Sequence, residues 1–176
     1  DRGGRQRYSN AVAALLHLLR AKLKGVREPQ PLCELVDVPN DRWRIAVEGY
    51  LNTRRFDVIV AAQDFDRALS LYERNKSGYA LPGQGEVFIG GVGLVDIEKI
   101  ESRAKRVERQ SLAQQVQTDD PLARAYCDFL MGDVICCENE QELRRHARAI
   151  TDPVMVYQNY VARQTPREAF NRLFLG

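Results

Sequence analysis

Apolar residues recur at spacings of three and four along several segments, the period of an amphipathic helix. In other segments they form short continuous runs, which are typical of buried strands. The pattern predicts helices over residues 7–25, 42–51, 64–74, 121–130, 138–150 and 165–176. It predicts strands over residues 32–38, 56–61, 133–137 and 152–163, the last as one long strand or a strand pair.

Turn and cap residues mark the borders of these elements. Asn40 and Asp41, Asp64, and Thr165 each precede a predicted helix, where side-chain oxygens can accept hydrogen bonds from free backbone N–H groups. Asp120 does the same before Pro121, which suits the first helical position.

Two stretches of the chain repeat one order: a helix, an acidic residue, an apolar strand, a second acidic residue and a second helix. The alignment places Ala46, Tyr50 and Leu51 on Ala125, Phe129 and Leu130, and, with three turn residues removed, Asp57–Val60 on Asp133–Cys136 and Asp64 on Glu140. This order predicts an α/β (α+β) fold built from two similar subdomains, each with a small sheet and packed helices.

Composition narrows the class of protein. A chain of 176 residues with 44% hydrophobic content can bury a sizeable core. No run approaches the roughly 20 apolar residues of a membrane span, and the polar start is unlike a secretory signal. We therefore expect a cytoplasmic protein without a membrane partner. Because the chain lacks an initiator Met, we also expect a fragment of a longer protein.

Charge is distributed unevenly. The net charge is +2, but residues 1–27 hold seven Lys and Arg against one Asp. A basic surface attracts nucleic acid by releasing counterions from phosphates. The same residues also suit a solvated helix face, and both interpretations stay open.

No pattern of potentially reactive residues predicts a catalytic or metal site. The four cysteines (Cys33, Cys127, Cys136, Cys137) contain no C-x-x-C pair, and adjacent strand residues point to opposite faces. We expect reduced, mostly buried thiols and no metal or cofactor.

Two histidines and two carboxylate pairs complete the catalytic candidates. His17 and His146 lie near no nucleophile motif. The pairs Asp119–Asp120 and Glu138–Glu140 lie where helix caps belong. We therefore expect this chain not to be an enzyme.

The glycine-rich segment 76–100 lacks both common phosphate-binding motifs, so its glycines suit turns and close backbone approach. The alternative function is a small α/β ligand-binding or enzymatic domain that uses the loop 83–93. Such a domain would have a deep pocket lined by that loop.

Two sets of segments resemble the hinge domain of SMC (structural maintenance of chromosomes) proteins. The first subdomain contributes Ala46–Leu51 (AVEGYL), Asp57–Val60 and Asp64–Arg74, and the second contributes Phe129–Ile135, Glu140–Ala149 and Ile150–Thr151. The resemblance covers residues 32–164. Many hinges carry a glycine-rich element after the last of these segments, and here "DPVMVYQNYVARQ" has no glycine.

Within that family, "RWRIAVEGYLNTRRFDVIV" and "GVGLVDIEKI" are most similar to the bacterial condensin-like subgroup. This is the Mks type (MksB), which includes JetC of the Wadjet plasmid-defence system. The hinge of a chromosomal SMC or MukB-like protein is the other assignment within the family. The hinge alone does not separate chromosome segregation from plasmid defence.

The resemblance implies a homodimerising module between two coiled-coil arms, with ATPase heads and contacts to other SMC-complex subunits elsewhere in a nucleoid-associated protein. It divides the chain into a coiled-coil stub (1–28), hinge subdomain I (32–100), a polar connector (101–119), hinge subdomain II (120–164) and the start of a returning helix (165–176).

Exposed strand edges and free cations supply the candidate site residues. For the dimer interface these are Gly90, Gly91, Val92, Gly93, Val154, Val156, Tyr157 and Tyr160. For non-specific contacts to DNA phosphates they are Arg5, Arg7, Lys22, Lys24, Arg54, Arg55, Arg103, Lys105, Arg106 and Arg163.

Overall fold

The computed structural model describes residues 8–176 and contains helices where the apolar period is strongest. The α-helices are α1 (Asn10–Lys22), α2 (Asp41–Leu51), α3 (Phe65–Asn75), α4 (Ile97–Ser102), α5 (Pro121–Met131) and α6 (Glu140–Leu143). The predictions for α1, α2, α3 and α5 are confirmed to within a few residues.

The strands are short and form three small sheets. They are β1 (Gln30–Pro31), β2 (Val58–Ile59), β3 (Tyr79–Leu81), β4 (Gly85–Val87), β5 (Leu94–Val95), β6 (Ile135–Cys137), β7 (Arg148–Thr151), β8 (Met155–Gln158) and β9 (Val161–Gln164). The sheet orders are β1-β2-β5, β3-β4 and β6-β7-β8-β9. The segment 152–163 is therefore a strand pair.

Of three predicted helix caps, two form and one does not. The side chain of Asn40 accepts from the N–H of Arg42 at 3.0 Å, and that of Asp120 accepts from Leu122 at 3.1 Å. Asp64 precedes α3 but does not cap it, because its carboxylate accepts from the N–H of Val26 at 2.9 Å. The Asp64 side chain instead fixes the loop after α1.

The sequence repeat corresponds to a repeated structural unit. In each half an 11-residue helix leads into a short strand that pairs in parallel with a later strand. The register pairs Val58 with Leu94 in the first half and Ile135 with Ala149 in the second. The predicted fold class, an α/β (α+β) arrangement of small sheets and packed helices, is confirmed.

The two halves share a central core, and α1 belongs to a second one. The central cluster takes Val47 and Ile59 from the first half and Met131 and Ile150 from the second. The apolar stripe of α1 is fully buried against the other side of the first half. Residues 10–22 are therefore a core helix, while the coiled-coil stub and the exact subdomain borders remain predictions.

The strand predicted over residues 32–38 is wrong. The chain pairs with β2 only at Gln30–Pro31 and then forms a 3₁₀ turn at Leu32–Glu34, closed by a hydrogen bond from Leu35 N to Leu32 O of 2.9 Å. A short apolar run does not distinguish a strand from a buried turn.

The helix predicted over residues 138–150 is also wrong in its second part. Only α6 is helical, and the chain from Arg148 to Thr151 is β7. Ala149 and Ile150 are completely buried because they pair with β6 and β8 at the centre of the sheet. Tertiary pairing overrides the helical spacing there.

The terminal helix predicted over residues 165–176 is absent. A 3₁₀ turn at Arg167–Ala169 is followed by irregular chain whose Phe174 and Leu175 are buried in the central core. The connector 101–119 is only partly exposed, because Leu112 and Ala113 are completely buried. Both segments pack over the core, although their polar composition does not predict this.

Candidate interaction surface

The outer edge of β9 is open. Its four residues are all exposed, and no strand of residues 8–176 pairs with its far side. The opposite edge of the same sheet is covered: Leu112 N donates to Val134 O at 2.7 Å and Cys136 N donates to Gln110 O at 2.9 Å. Of the two edges, β9 is therefore the one that can accept another strand.

A two-residue hairpin loop creates this edge. Gln158 pairs with Val161, and the intervening Asn159 and Tyr160 have φ of 53° and 63°. Two successive positive φ values match the type I′ turn that links antiparallel strands, and Asn is favoured there. The sequence signal for β9 was therefore Asn159, a turn residue that lies between the pairs Val156–Tyr157 and Tyr160–Val161.

The predicted interface residues of the second half separate into two groups. Tyr160 is 92% exposed and its neighbour Val161 is 49% exposed. Tyr157 is half-buried, and Val156 is buried in the central core. Only the hairpin tip and β9 therefore present side chains to a partner.

Val154 is wrong as an interface residue. Its side chain is completely buried, its N–H donates to Thr151 O at 2.9 Å and its carbonyl accepts from Thr165 N at 3.0 Å. These contacts leave neither its side chain nor its backbone for a second chain.

The segment 90–93, which we expected to be an exposed strand edge, is a turn that leads into β5. Gly90 N donates to Lys76 O at 3.1 Å and Gly93 O accepts from Val58 N at 2.8 Å. Val92 is half-buried, and its carbonyl accepts from the Tyr72 hydroxyl. Gly90 and Gly91 are exposed, but of the two only Gly91 has open space where a Cβ would lie, because a Cβ at Gly90 would meet the Phe88 ring.

The other glycines of the loop 83–93 shape a hairpin. Gly83 and Gly85 have φ of 82° and 74°, at the turn between β3 and β4. Such values favour glycine because other residues are strained there. These two glycines therefore have a structural role in the turn.

A groove of about 570 Å³ lies between the C-terminal end of α2 and the β8–β9 ribbon. It is lined by Gly49, Tyr50, Asn52, Arg54, Leu130, Arg148, Val156, Gln158, Asn159, Val161, Arg163, Thr165 and Pro166. Three arginines and no carboxylate line it. Because Arg148 is paired with Asp133, the charges that can attract an acidic group are those of Arg54 and Arg163.

The three arginines differ in their contacts. Arg148 bonds the carboxylate of Asp133 and the hydroxyl of Tyr50. Arg54 is exposed in the 3₁₀ turn between α2 and β2. Arg163 is exposed on β9, on the same face as Val161.

The predicted DNA-binding cations are mostly at the surface. Arg5 and Arg7 lie outside the described residues. The exposed members are Lys22, Lys24, Arg54, Arg103, Lys105, Arg106 and Arg163. Arg55 is wrong as a phosphate ligand, because it is only 4% exposed and is paired with a buried carboxylate.

That carboxylate belongs to Glu48, which the sequence analysis missed. Glu48 is completely buried, with Oε1 2.7 Å from Arg55 Nη1. Its Oε2 accepts from the N–H groups of Phe174 and Leu175 at 2.9 and 2.8 Å. A Glu on the apolar face of α2, one position after Val47, was the available signal. This group, the Glu48 clamp, attaches the end of the described chain to the first half.

Several polar contacts join the halves, among them the ion pairs of Arg42 with Glu138 and Asp152. Two others involve the carboxylates of Asp57 and Asp120. The Tyr126 hydroxyl donates to Asp57, and burial raises the pKa of both groups. Arg27 donates to both carboxylate oxygens of Asp120 at 3.0 and 2.7 Å, which lowers the pKa of that carboxyl. Burial therefore destabilises the charged form of Asp57, whereas the ion pair with Arg27 stabilises the charged form of Asp120.

The histidine and cysteine side chains that could take part in chemistry make structural contacts or are buried. The Nδ1 atom of His17 lies 2.6 Å from the Tyr79 hydroxyl on the exposed side of α1. Burial raises the pKa of Cys127 and Cys136 to about 12, so both are protonated thiols at neutral pH. Within residues 8–176, no three His, Cys, Asp or Glu side chains group as metal ligands do. No helix in this range is long and apolar enough to cross a membrane.

Solved structures identify the fold. The Pyrococcus furiosus SMC hinge domain superposes with a TM-score of 0.62 at 18% identity, over 89% of this chain and 90% of that chain. A Geobacillus stearothermophilus SMC hinge domain, solved as an asymmetric dimer, gives 0.61 at 18% identity, over 89% of this chain and 65% of that chain. The S. pombe Smc5/6 hinge domain gives 0.56 at 14% identity, over 95% and 70%.

The chain therefore has the SMC hinge fold, and it spans just under two thirds of the Geobacillus chain. No protein-family model and no curated protein matches it significantly.

Proposed function

We propose that this chain is a hinge that joins two copies of an SMC-type protein into a homodimer. The observation that carries the proposal is the open edge of β9, a fully exposed strand at the end of a four-stranded sheet. An unpaired edge accepts a strand from another chain. The hinge fold adds support, since one solved hinge with this fold is described as a dimer.

The partner strand that suits β9 is β5 of the other copy. β5 ends the three-stranded sheet of the first half, next to the exposed turn at Gly91. Pairing β5 of each chain with β9 of the other uses two unlike edges twice and closes on itself. Tyr160, Val161 and Gly91 would then lie in the contact.

Edge pairing is tested by removing one outward N–H from β9. Because Gln158 and Val161 flank a two-residue loop, they form a hydrogen-bonded pair, and Ala162 N–H points away from β8. We expect Ala162→Pro to convert the dimer to monomer in sedimentation equilibrium, while Ala162→Val, which keeps the N–H, leaves it intact. A wild-type chain that is monomeric at high concentration would contradict the proposal.

A second candidate activity is non-specific DNA binding. The supporting observation is the run of exposed cations after α4, namely Arg103, Lys105 and Arg106. Such side chains bind phosphates without reading bases, and the affinity falls steeply with salt.

The DNA proposal is tested with a triple Glu variant at Arg103, Lys105 and Arg106. We expect it to weaken a gel shift at low salt and to flatten the salt dependence. Replacing the exposed Arg144 and Arg145 with Glu is the control, and we expect a smaller effect. Binding that is absent at low salt, or independent of salt, would contradict this activity.

The wider assignment rests on the sequence resemblance. We propose a bacterial condensin-like protein of the Mks type, acting with other SMC subunits in chromosome organisation or plasmid defence at the nucleoid. Attaching the arms and heads of each candidate branch and assaying plasmid loss would separate these roles. The hinge proposal needs no catalytic group or cofactor.

A further inference from the structure

The end of β4 presents an acidic and an aromatic side chain to solvent. Val87 packs against the α1 core, so Glu86 and Phe88, one residue to either side, face the opposite way. Phe88 is 63% exposed, although burying a Phe side chain is worth about 2 kcal/mol. An exposed ring beside a carboxylate suits a contact surface.

The groove beside β9 has the complementary chemistry at the same spacing. Val161 and Arg163 are also separated by one residue and share one face of β9. Tyr50, Leu130 and Val156 add apolar walls, and no carboxylate lines the groove. An aliphatic and a cationic group thus line the groove, while an aromatic and an acidic group project from β4.

We propose that Glu86 and Phe88 of one copy dock in the Arg163–Val161 groove of a second copy. This inference rests on the proposed dimer and specifies its contact beyond the strand edges. Phe88 fills the apolar part of the groove near Val161, and Glu86 pairs with Arg163.

The two surfaces belong to different halves of the chain, which favours a reciprocal contact. Glu86 and Phe88, at the end of β4, belong to the first half, and the β9 side of the groove belongs to the second. In a two-fold dimer each copy supplies one Glu86–Phe88 pair and one groove, so the contact forms twice and leaves neither surface unused. The groove is also continuous with the β9 edge of the proposed pairing.

Charge reversal gives a test that only this reciprocal arrangement passes. In Glu86→Arg homodimers both contacts hold two arginines, and in Arg163→Glu homodimers both hold two glutamates. We expect each variant alone to dimerise about tenfold more weakly than wild type, because like charges face each other. Glu98→Arg, an exposed reversal on α4, is the matched control and dimerises as wild type.

Mixing the two weakened variants restores dimerisation. In the mixed dimer one contact joins the arginine introduced at position 86 of one chain to the glutamate introduced at position 163 of the other, and the second contact joins the natural pair. We expect the mixture to dimerise within about threefold of wild type. Sedimentation equilibrium of each variant and of the mixture measures this.

The outcomes separate this inference from the hinge proposal. A monomeric wild type overturns both. Variants that dimerise as wild type, or weakened variants that the mixture does not restore, overturn the docking contact and leave the β9 edge pairing standing. Circular dichroism of each variant confirms folding, which these exposed positions should preserve.

A photo-crosslinker at position 88 tests the contact without changing charge. We expect benzoylphenylalanine in place of Phe88 to label the partner chain within the groove peptides around Tyr50 or Val161. The same probe at Leu69, an exposed apolar position on α3, is the control and should give no such product. A dimer whose position 88 labels only its own chain overturns the inference.

Discussion

The two halves share a frame and differ in what surrounds it. Each half has an 11-residue helix, a short strand and a parallel partner strand. In the first half the crossover is long and contains α3 and the β3–β4 hairpin, whereas in the second it contains only α6. The second half instead adds β8 and β9 in antiparallel order. A common βαβ core therefore tolerates unlike edges. The proposed dimer uses this difference, because it pairs β5 of one half with β9 of the other half in the second copy.

The halves also differ at equivalent positions inside the core. The alignment that places Ala46 on Ala125 places Glu48 on Cys127. Both side chains are completely buried, but Glu48 holds Arg55 and the chain near Phe174, while Cys127 packs among apolar groups. The first half is thus held partly by a buried ion pair, and the second by packing alone at this point.

Breaking the Glu48 clamp should have the largest effect. Glu48→Ala leaves the Arg55 charge and two backbone N–H groups buried without their acceptor, and we expect a loss of about 3–5 kcal/mol in the free energy of unfolding. Urea denaturation measures it. Cys127→Ala at the equivalent position should cost about 1 kcal/mol, because only a small apolar group is lost. Equal losses would contradict the difference between the halves.

Two neighbouring glycines should differ in their tolerance of a side chain. A Cβ at Gly93 would collide with the carboxylate of Asp57, which its bond to Tyr126 holds in place. We expect Gly93→Ala to cost about 1–3 kcal/mol.

Gly91→Ala is the matched control for this glycine prediction. Its Cβ would enter open space, so we expect a change within about 0.5 kcal/mol. Thermal melts of the two variants compare them. A Gly91 variant as unstable as the Gly93 variant would contradict the turn geometry.

The contact between Asp57 and Tyr126 should contribute less. Tyr126→Phe removes the hydroxyl that donates to a half-buried carboxylate, and we expect a loss of about 1–2 kcal/mol in the free energy of unfolding. Tyr50→Phe is the comparison, since Arg148 keeps its bond to Asp133 there, and we expect a smaller loss. Chemical denaturation ranks the two.

Asp120 and Asp57, two of the carboxylates that join the halves, should respond to acid in opposite directions. Arg27 lowers the pKa of Asp120, so its contribution to stability is present above the unfolded pKa and is lost as the pH falls through the folded pKa. Burial raises the pKa of Asp57, so its penalty is present at neutral pH and is relieved as the pH falls through its folded pKa.

Substitution of each carboxylate by its amide separates these contributions. Between about pH 6 and about pH 3 we expect Asp120→Asn to reduce the loss of stability in acid and Asp57→Asn to increase it. Urea midpoints across this range measure the slopes. Slopes that change in the same direction would contradict the assigned environments.

The sequence by itself determined four of the helices, α1, α2, α3 and α5, and the duplicated frame. Apolar spacing in α1, α2, α3 and α5 is local information, because a helix buries one stripe whatever it packs against. The caps at Asn40 and Asp120 and the apolar strands after α2 and α5 are local signals of the same kind. The predicted fold class depended on these signals.

Only the tertiary structure decided the edges, the groove and the Glu48 clamp. Whether Arg148–Thr151 is a strand depends on β6 and β8 lying on either side, and whether Arg55 is a surface cation depends on Glu48 and on the chain near Phe174. Val156 and Val161 look alike in sequence, yet one is buried and the other is half exposed because β9 ends the sheet. Exposure and pairing are set by residues distant in the chain, which local patterns do not encode.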